Sequence, residues 1–118
     1  MRTMQKMTKI ISWEDFPKVD IRVGKIVSAE DFPKARKPAY KLTIDFGPLG
    51  RKNSSAQITK RYSKEQLIGR QVVAVVNFPP KQIANLRSQV LVLGAVTKQG
   101  DVILLKPDEP AELGDRIA

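Results

Sequence analysis

Cysteine and histidine are both missing from this chain. Without cysteine there is no disulfide framework, no thiolate nucleophile and no sulfur-ligated zinc site. Without histidine the usual general base and the commonest metal ligand are gone as well. Long apolar runs are also missing: no stretch approaches the roughly 18 residues of a membrane span, and Met1 to Met7 lacks the apolar centre of a secretory leader. The expectation is a soluble cytoplasmic protein, with residues 1–9 as a disordered extension and Met4 and Met7 as alternative starts. Carboxylates are scarce where cations gather. From Phe32 to Gly100 thirteen Lys and Arg face only Asp45 and Glu65, whereas residues 101–118 hold five acids and two bases. The net charge of +9 therefore belongs to the middle of the chain, where it attracts phosphate backbones or acidic polypeptides in a salt-dependent way. A solvated surface that merely keeps the protein in solution is the plainer reading of the same charge.

The acids that remain do not suggest catalysis. Asp20 and Glu30 fall on or near a first strand and Asp45 on a second, with no spacing that pairs two carboxylates and no nucleophile with a base beside it. No glycine-rich phosphate loop and no clustered metal ligands are visible, so neither cofactor nor metal is expected and the chain reads as a binding protein, not an enzyme.

What is present is mostly strand, in a length that suits one domain. Ser12-Trp13-Glu14-Asp15 fits a capping box for one short N-terminal turn that Pro17 ends. Val19, Ile21 and Val23 alternate with Asp20 and Arg22, and the pair Ile26-Val27 after Gly24 breaks that phase as a bulge would. Tyr40, Leu42, Ile44 and Phe46 alternate with Lys41, Thr43 and Asp45, putting one face inward. Gly47-Pro48-Leu49-Gly50 is turn chemistry, and Lys52 to Thr59 is a weaker polar strand. Ser63 caps a short helix, with Gln66 three residues later and Gly69 past its end. Val72 to Val76 is apolar on both faces, so a helix or a second subunit must cover the outer one. Asn77 to Gln89 reads as a rigid cationic loop before Val90-Leu91-Val92-Leu93, and Lys98-Gln99-Gly100-Asp101 as a hairpin turn into Val102 to Leu105. Three strands, a short helix and two or three strands predict an all-β, five-stranded Greek-key barrel of the oligonucleotide/oligosaccharide-binding (OB) type, with short helices and C-terminal extension strands.

The run Asp15-Phe16-Pro17-Lys18-Val19-Asp20-Ile21-Arg22-Val23-Gly24-Lys25-Ile26 resembles the opening motif of the tRNA-binding domain family, found at the C-terminus of methionyl-tRNA synthetases and as free-standing proteins. The resemblance continues through Leu67-Ile68-Gly69-Arg70 and Asn77 to Ser88, making residues 10–118 one such domain. Within the family, Ser54-Ser55-Ala56-Gln57-Ile58-Thr59 and Val76 to Ile83 are most similar to the CsaA branch. That similarity implies a homodimeric chaperone that binds unfolded or precursor polypeptides together with the export motor ATPase. Where the nucleic-acid branch carries Ser-Gly, a Leu-x-Pro-Arg-Lys loop and Ser-x-Gly-Met, this chain has Ser55-Ala56, Phe78-Pro79-Pro80-Lys81-Gln82 and Ser88-Gln89-Val90-Leu91. A side chain in place of glycine and one loop cation fewer both weaken phosphate attraction, leaving tRNA binding by the same face as the second reading.

The candidate ligand-binding residues follow. Lys34, Arg36, Lys37 and Lys41 occupy the connection between the first two strands and the start of the second, where such barrels bind ligands. Phe32 and Tyr40 flank them, able to stack on a ligand, with a core role the stronger reading for Tyr40. Ser55, Gln57 and Asn77 come with the motifs just named. Phe78 begins a pre-ordered apolar wall, Lys81 and Arg87 are cationic posts, and Ser88 and Gln89 offer hydrogen bonds to a peptide or nucleotide backbone. For the homodimer, Trp13, Phe16, Val73, Val75, Phe78, Pro79, Pro80, Leu104 and Pro107 are the expected contacts.

Overall fold

Eleven residues of continuous strand, Ile21–Asp31 (β1), form the spine on which the rest of the chain assembles. The computed structural model describes residues 8–118, so most of the expected N-terminal extension lies outside the described residues. β2 (Tyr40–Asp45), β3 (Arg51–Ala56), β4 (Gln71–Val75) and β7 (Leu91–Val92) join β1 in one antiparallel sheet of order β3-β2-β1-β4-β7. Two short hairpins are added, β5 (Lys81–Ile83) with β6 (Leu86–Ser88) and β8 (Gly94–Val96) with β9 (Val102–Leu104). The single α-helix among the described residues, α1 (Lys64–Leu67), stands between β3 and β4.

Long strands must bend to close a barrel, and β1 bends where its register slips: Ile26 faces Ile44, but Ser28 faces Thr43, leaving Val27 as the extra residue. At the bulge Ile26 donates its N–H to the Arg70 carbonyl and accepts from the Gly69 N–H, tying β1 to the end of α1. In β2 the expected alternation appears as strict burial of Tyr40, Leu42 and Ile44. These side chains meet Ile26, Phe46, Leu67, Val72 and Ala74 in the core. α1 needs its cap because four residues cannot hold a helix by themselves. Ser63 accepts from the Gln66 N–H and the Gln66 side chain accepts from the Ser63 N–H, a complete capping box. At the N-terminal turn the Asp15 carboxylate accepts from the Ser12 N–H at 2.9 Å. With the neighbouring Lys18 ammonium, this bond keeps the Asp15 carboxyl below its ordinary value.

The barrel is nearly closed by side chains as much as by strand pairing. Gln89 donates its N–H to the Asn53 carbonyl (2.8 Å) and accepts from the Asn53 N–H through Oε1 (2.9 Å). Ser88 Oγ accepts from the Ser55 N–H (3.1 Å), and the fully buried Ser54 donates its hydroxyl to the Val90 carbonyl (3.1 Å). Edge strand β3 thereby meets the segment entering β7. The C-terminal segment then docks beside the first half of β1: Gly114 donates to the Val23 carbonyl, Val23 to that of Asp115, and Ile117 to that of Ile21. The Gln71 amide clasps Ala111 from both sides.

Two expectations are corrected here. The second strand face of β4 needs no partner subunit, because Val73 and Val75 are 7% and 3% exposed within the single chain. Residues 77–89 are not one loop either: from Lys81 they form the β5–β6 hairpin, with Ile83 opposite Leu86 and Ala84-Asn85 as its turn. Sequence gave little warning, since the turn holds Ala84 at φ 49 where glycine is the usual occupant. Ala84→Gly is therefore expected to stabilise the protein by about 0.5–1 kcal/mol by removing that left-handed strain. Urea denaturation checks this, and a lower midpoint would show the turn to be unstrained.

Candidate ligand-binding groove

A groove of about 1600 Å³ runs between the β1–β2 connection, the end of β3 and the β5–β6 hairpin. Its walls bring together Lys34, Arg36, Lys37, Ser55, Gln57, Phe78, Lys81, Ser88 and Gln89 from the expected set. These residues come from four separate stretches of chain, so their convergence is a product of the fold. Four cations line the groove and, among the described residues, no carboxylate does. Its apolar surface comes from Phe78 and Pro79 together with Ile83, Leu91 and Val102. The last three escaped sequence reasoning. Ile83 looked like part of a loop, and Leu91 and Val102 looked like ordinary strand residues. Phe78 is 51% exposed, an unusual setting for a ring that no ordinary core needs.

Three of the expected residues do not line the groove. Lys41 turns aside, its ammonium 3.9 Å from Glu30 and 5.8 Å from the centre of the Phe32 ring. Asn77 is a clamp: its Oδ1 accepts from the Asp20 N–H at 2.9 Å and its Nδ2 donates to the Lys18 carbonyl at 2.7 Å. Arg87 is exposed on β6 but outside the groove walls. Phe32 and Tyr40 belong to the interior, the Tyr40 hydroxyl donating to the Tyr62 carbonyl at 2.7 Å. Ser88 and Gln89 do line the groove, but the Ser88 Oγ and Gln89 Oε1 acceptors already serve β3.

The expected dimer residues divide in the same way. Trp13 is 94% exposed, Phe16, Phe78, Pro79 and Pro80 are exposed and Pro107 is half-buried. Val73, Val75 and Leu104 are buried in the chain's own interior and present no surface to a second copy. Ile10 and Ile11 are also exposed, so that four apolar side chains within seven residues, Ile10, Ile11, Trp13 and Phe16, are open to solvent.

A nearly closed, antiparallel five-stranded barrel with a helix between its third and fourth strands, and a basic groove on one side, is the architecture of an OB-fold binding domain. The family model described as "Putative tRNA binding domain" matches residues 21–116, and the chain belongs to that family. Among solved structures, the chaperone CsaA from Bacillus anthracis str. Ames is 55% identical with a TM-score of 0.89, covering 93% of this chain and 100% of that one. The CsaA chaperone protein from Picrophilus torridus is 60% identical with a TM-score of 0.87, covering 92% and 100%. Methionine–tRNA ligase from Thermococcus onnurineus is 41% identical over 107 residues, which is 91% of this chain and 14% of the ligase. That from Porphyromonas gingivalis is 36% identical over the same length, so the chain spans about 15% of such ligases. The matched family is a binding domain and not a catalytic one. No helix among the described residues is long and apolar enough to cross a membrane.

Proposed function

We propose that this protein is a chaperone that holds extended segments of unfolded or precursor polypeptides in the groove, without nucleotide. The observation that carries the reading is the exposed Phe78-Pro79 wall facing a rim of Lys34, Arg36, Lys37 and Lys81 with no acid among them. An apolar wall gains from burying a client's side chains, the proline carries little conformational entropy to lose, and the cations draw in acidic chain. Similarity to the CsaA chaperones supports the same choice. Binding is expected to be weak and fast, since ordering a disordered client offsets much of the contact energy. The proposal includes a cytoplasmic homodimer built on the exposed side chains of Ile11, Trp13 and Phe16, and the export motor ATPase as a partner.

The same groove supports a second reading, tRNA binding, because a cationic rim free of carboxylates suits phosphates equally well and the family description names tRNA. One protein sample separates the two. Aggregation of a heat-labile client should be suppressed at a few-fold molar excess, and the affinity for unfolded polypeptide should fall with salt much less steeply than contacts to a phosphate backbone would. Absence of suppression, together with tRNA affinity that falls steeply as salt rises, would transfer the function to RNA. Sedimentation at micromolar concentration is expected to show a species of twice the 13.2 kDa chain mass, and a monomer there would remove the dimer.

A further inference from the structure

A second, smaller cavity of about 340 Å³ opens beside the groove, between the segment after β3 and the β8–β9 turn. The two share Lys37, Gln57, Ile58 and Val102, so they form one trough with chemically unlike ends. At the groove end stand Phe78, Pro79 and Ile83. At the other end three cations, Lys37, Lys60 and Arg61, meet one carboxylate, Asp101.

That carboxylate is already committed. The Thr97 hydroxyl donates to one Asp101 oxygen and Arg61 Nε donates to the other at 2.5 Å. These bonds, the one from Thr97 foremost, hold the Asp101 carboxyl below its ordinary value of 3.8, so it stays ionised and braces Arg61. The bond uses only the Nε side of the guanidinium, and Arg61 is exposed, its two Nη groups making no hydrogen bond among the described residues. Among the described residues neither Lys37 nor Lys60 has a carboxylate within salt-bridge distance. The cavity thus holds a braced guanidinium and two unpaired ammonium groups, a donor set suited to a carboxylate.

We infer that this cavity is an anchor for an acidic group of the bound polypeptide. An extended client lies with an apolar segment against Phe78 and Pro79 and places a carboxylate, from an Asp or Glu side chain or from a chain end, between Lys37, Lys60 and Arg61. The trough thereby gives the client a direction and selects apolar segments that carry acid on one flank. This rests on the polypeptide-holding reading above and adds to it a specificity that a merely sticky groove would lack.

The test uses the full chain and fluorescent peptides with one apolar core, followed by Asp-Asp, Asn-Asn or Lys-Lys, all amidated. A fourth peptide ends Asn-Asn with a free carboxylate. The Asp-Asp peptide is expected to bind roughly three- to tenfold tighter than Asn-Asn, the range that exposed charge pairs supply, and the preference should shrink with salt. The free-carboxylate peptide reports whether a chain end serves as well as a side chain. Lys60→Glu should abolish the preference while leaving the Asn-Asn affinity unchanged, which also shows that the variant is folded. Equal binding of Asp-Asp and Asn-Asn, or a preference that survives Lys60→Glu, overturns the anchor and leaves the chaperone reading intact. Failure of every peptide to bind overturns both. An RNA oligonucleotide whose affinity alone drops on Lys60→Glu would assign the cavity to phosphate and likewise overturn the proposal.

Discussion

Gly24→Ala is expected to cost about 2–3 kcal/mol of stability and to lower the melting temperature by about 10 °C. A Cβ on Gly24 would stand 2.6 Å from Ile44 Cγ2 and 2.7 Å and 2.9 Å from two ring atoms of Phe46. Both neighbours are fully buried, so neither has free space to retreat into. Moving the glycine backbone instead would disturb its pairing with Val72 in β4. The spine strand therefore passes over the core at a point where only a hydrogen atom fits. Thermal and urea denaturation of the purified variant check this, with an unchanged urea slope showing that the transition remains two-state. A melting temperature within 2 °C of the parent would mean that Ile44 and Phe46 rearrange at no cost.

Replacing Lys34, Arg36 and Lys37 together by glutamate is expected to weaken binding of polypeptide or RNA roughly tenfold to a hundredfold, the sum of several exposed charge contacts reversed in sign. Stability should move by about half a kcal/mol per substitution or less, because all three side chains are exposed and form no ion pair among the described residues. Phe78→Ala then distinguishes the ligand classes. Loss of its half-exposed ring should reduce polypeptide affinity severalfold and RNA affinity less. Ser88→Ala is the weaker probe. Removing Oγ strips the acceptor from the Ser55 N–H and should cost about 1 kcal/mol of stability through the barrel seam, whatever ligand is bound. If the triple variant binds both ligands like its parent, the rim is only a solvated surface.

How much of this was legible beforehand depended on whether the signal was local. The alternation from Tyr40 to Phe46 wrote β2 directly, because one face of that strand meets the core and the other meets water. The α1 capping box was readable for the same reason, since all its partners lie within four residues. The bulge was legible too, because the pair Ile26-Val27 breaks the alternation and Val27 is the inserted residue, whereas the role of Gly24 in making room for two core side chains left no local signal. What failed to show was decided at a distance. Ser88 and Gln89 looked like ligand contacts because they are polar and sit in a basic stretch, yet their acceptors meet backbone more than thirty positions away. The β5–β6 hairpin was hidden by a turn without glycine, and the covering of Val73 and Val75 depends on segments that sequence periodicity cannot bring together. The basic stretch was visible as a group, but only the fold separates Lys37, which lines the groove, from Lys41, turned toward Glu30.

The docking of the C-terminal segment on β1 has a consequence for the order of events during synthesis. Arg22 Nη1 donates to the Gly114 carbonyl across 92 positions, and the neighbouring backbone bonds span similar separations. The first half of β1 leaves the ribosome long before the residues that complete its hydrogen bonding, Gly114 to Ile117, have emerged. A nascent chain stopped short of residue 111 would carry the Gln71 amide unclasped and one flank of Ile21 to Val23 as an open strand edge. Contacts of such long sequence separation slow folding and prolong the exposure of that edge. Until the segment from Ala111 to Ile117 has been joined, that edge therefore stays open to any exposed strand it meets.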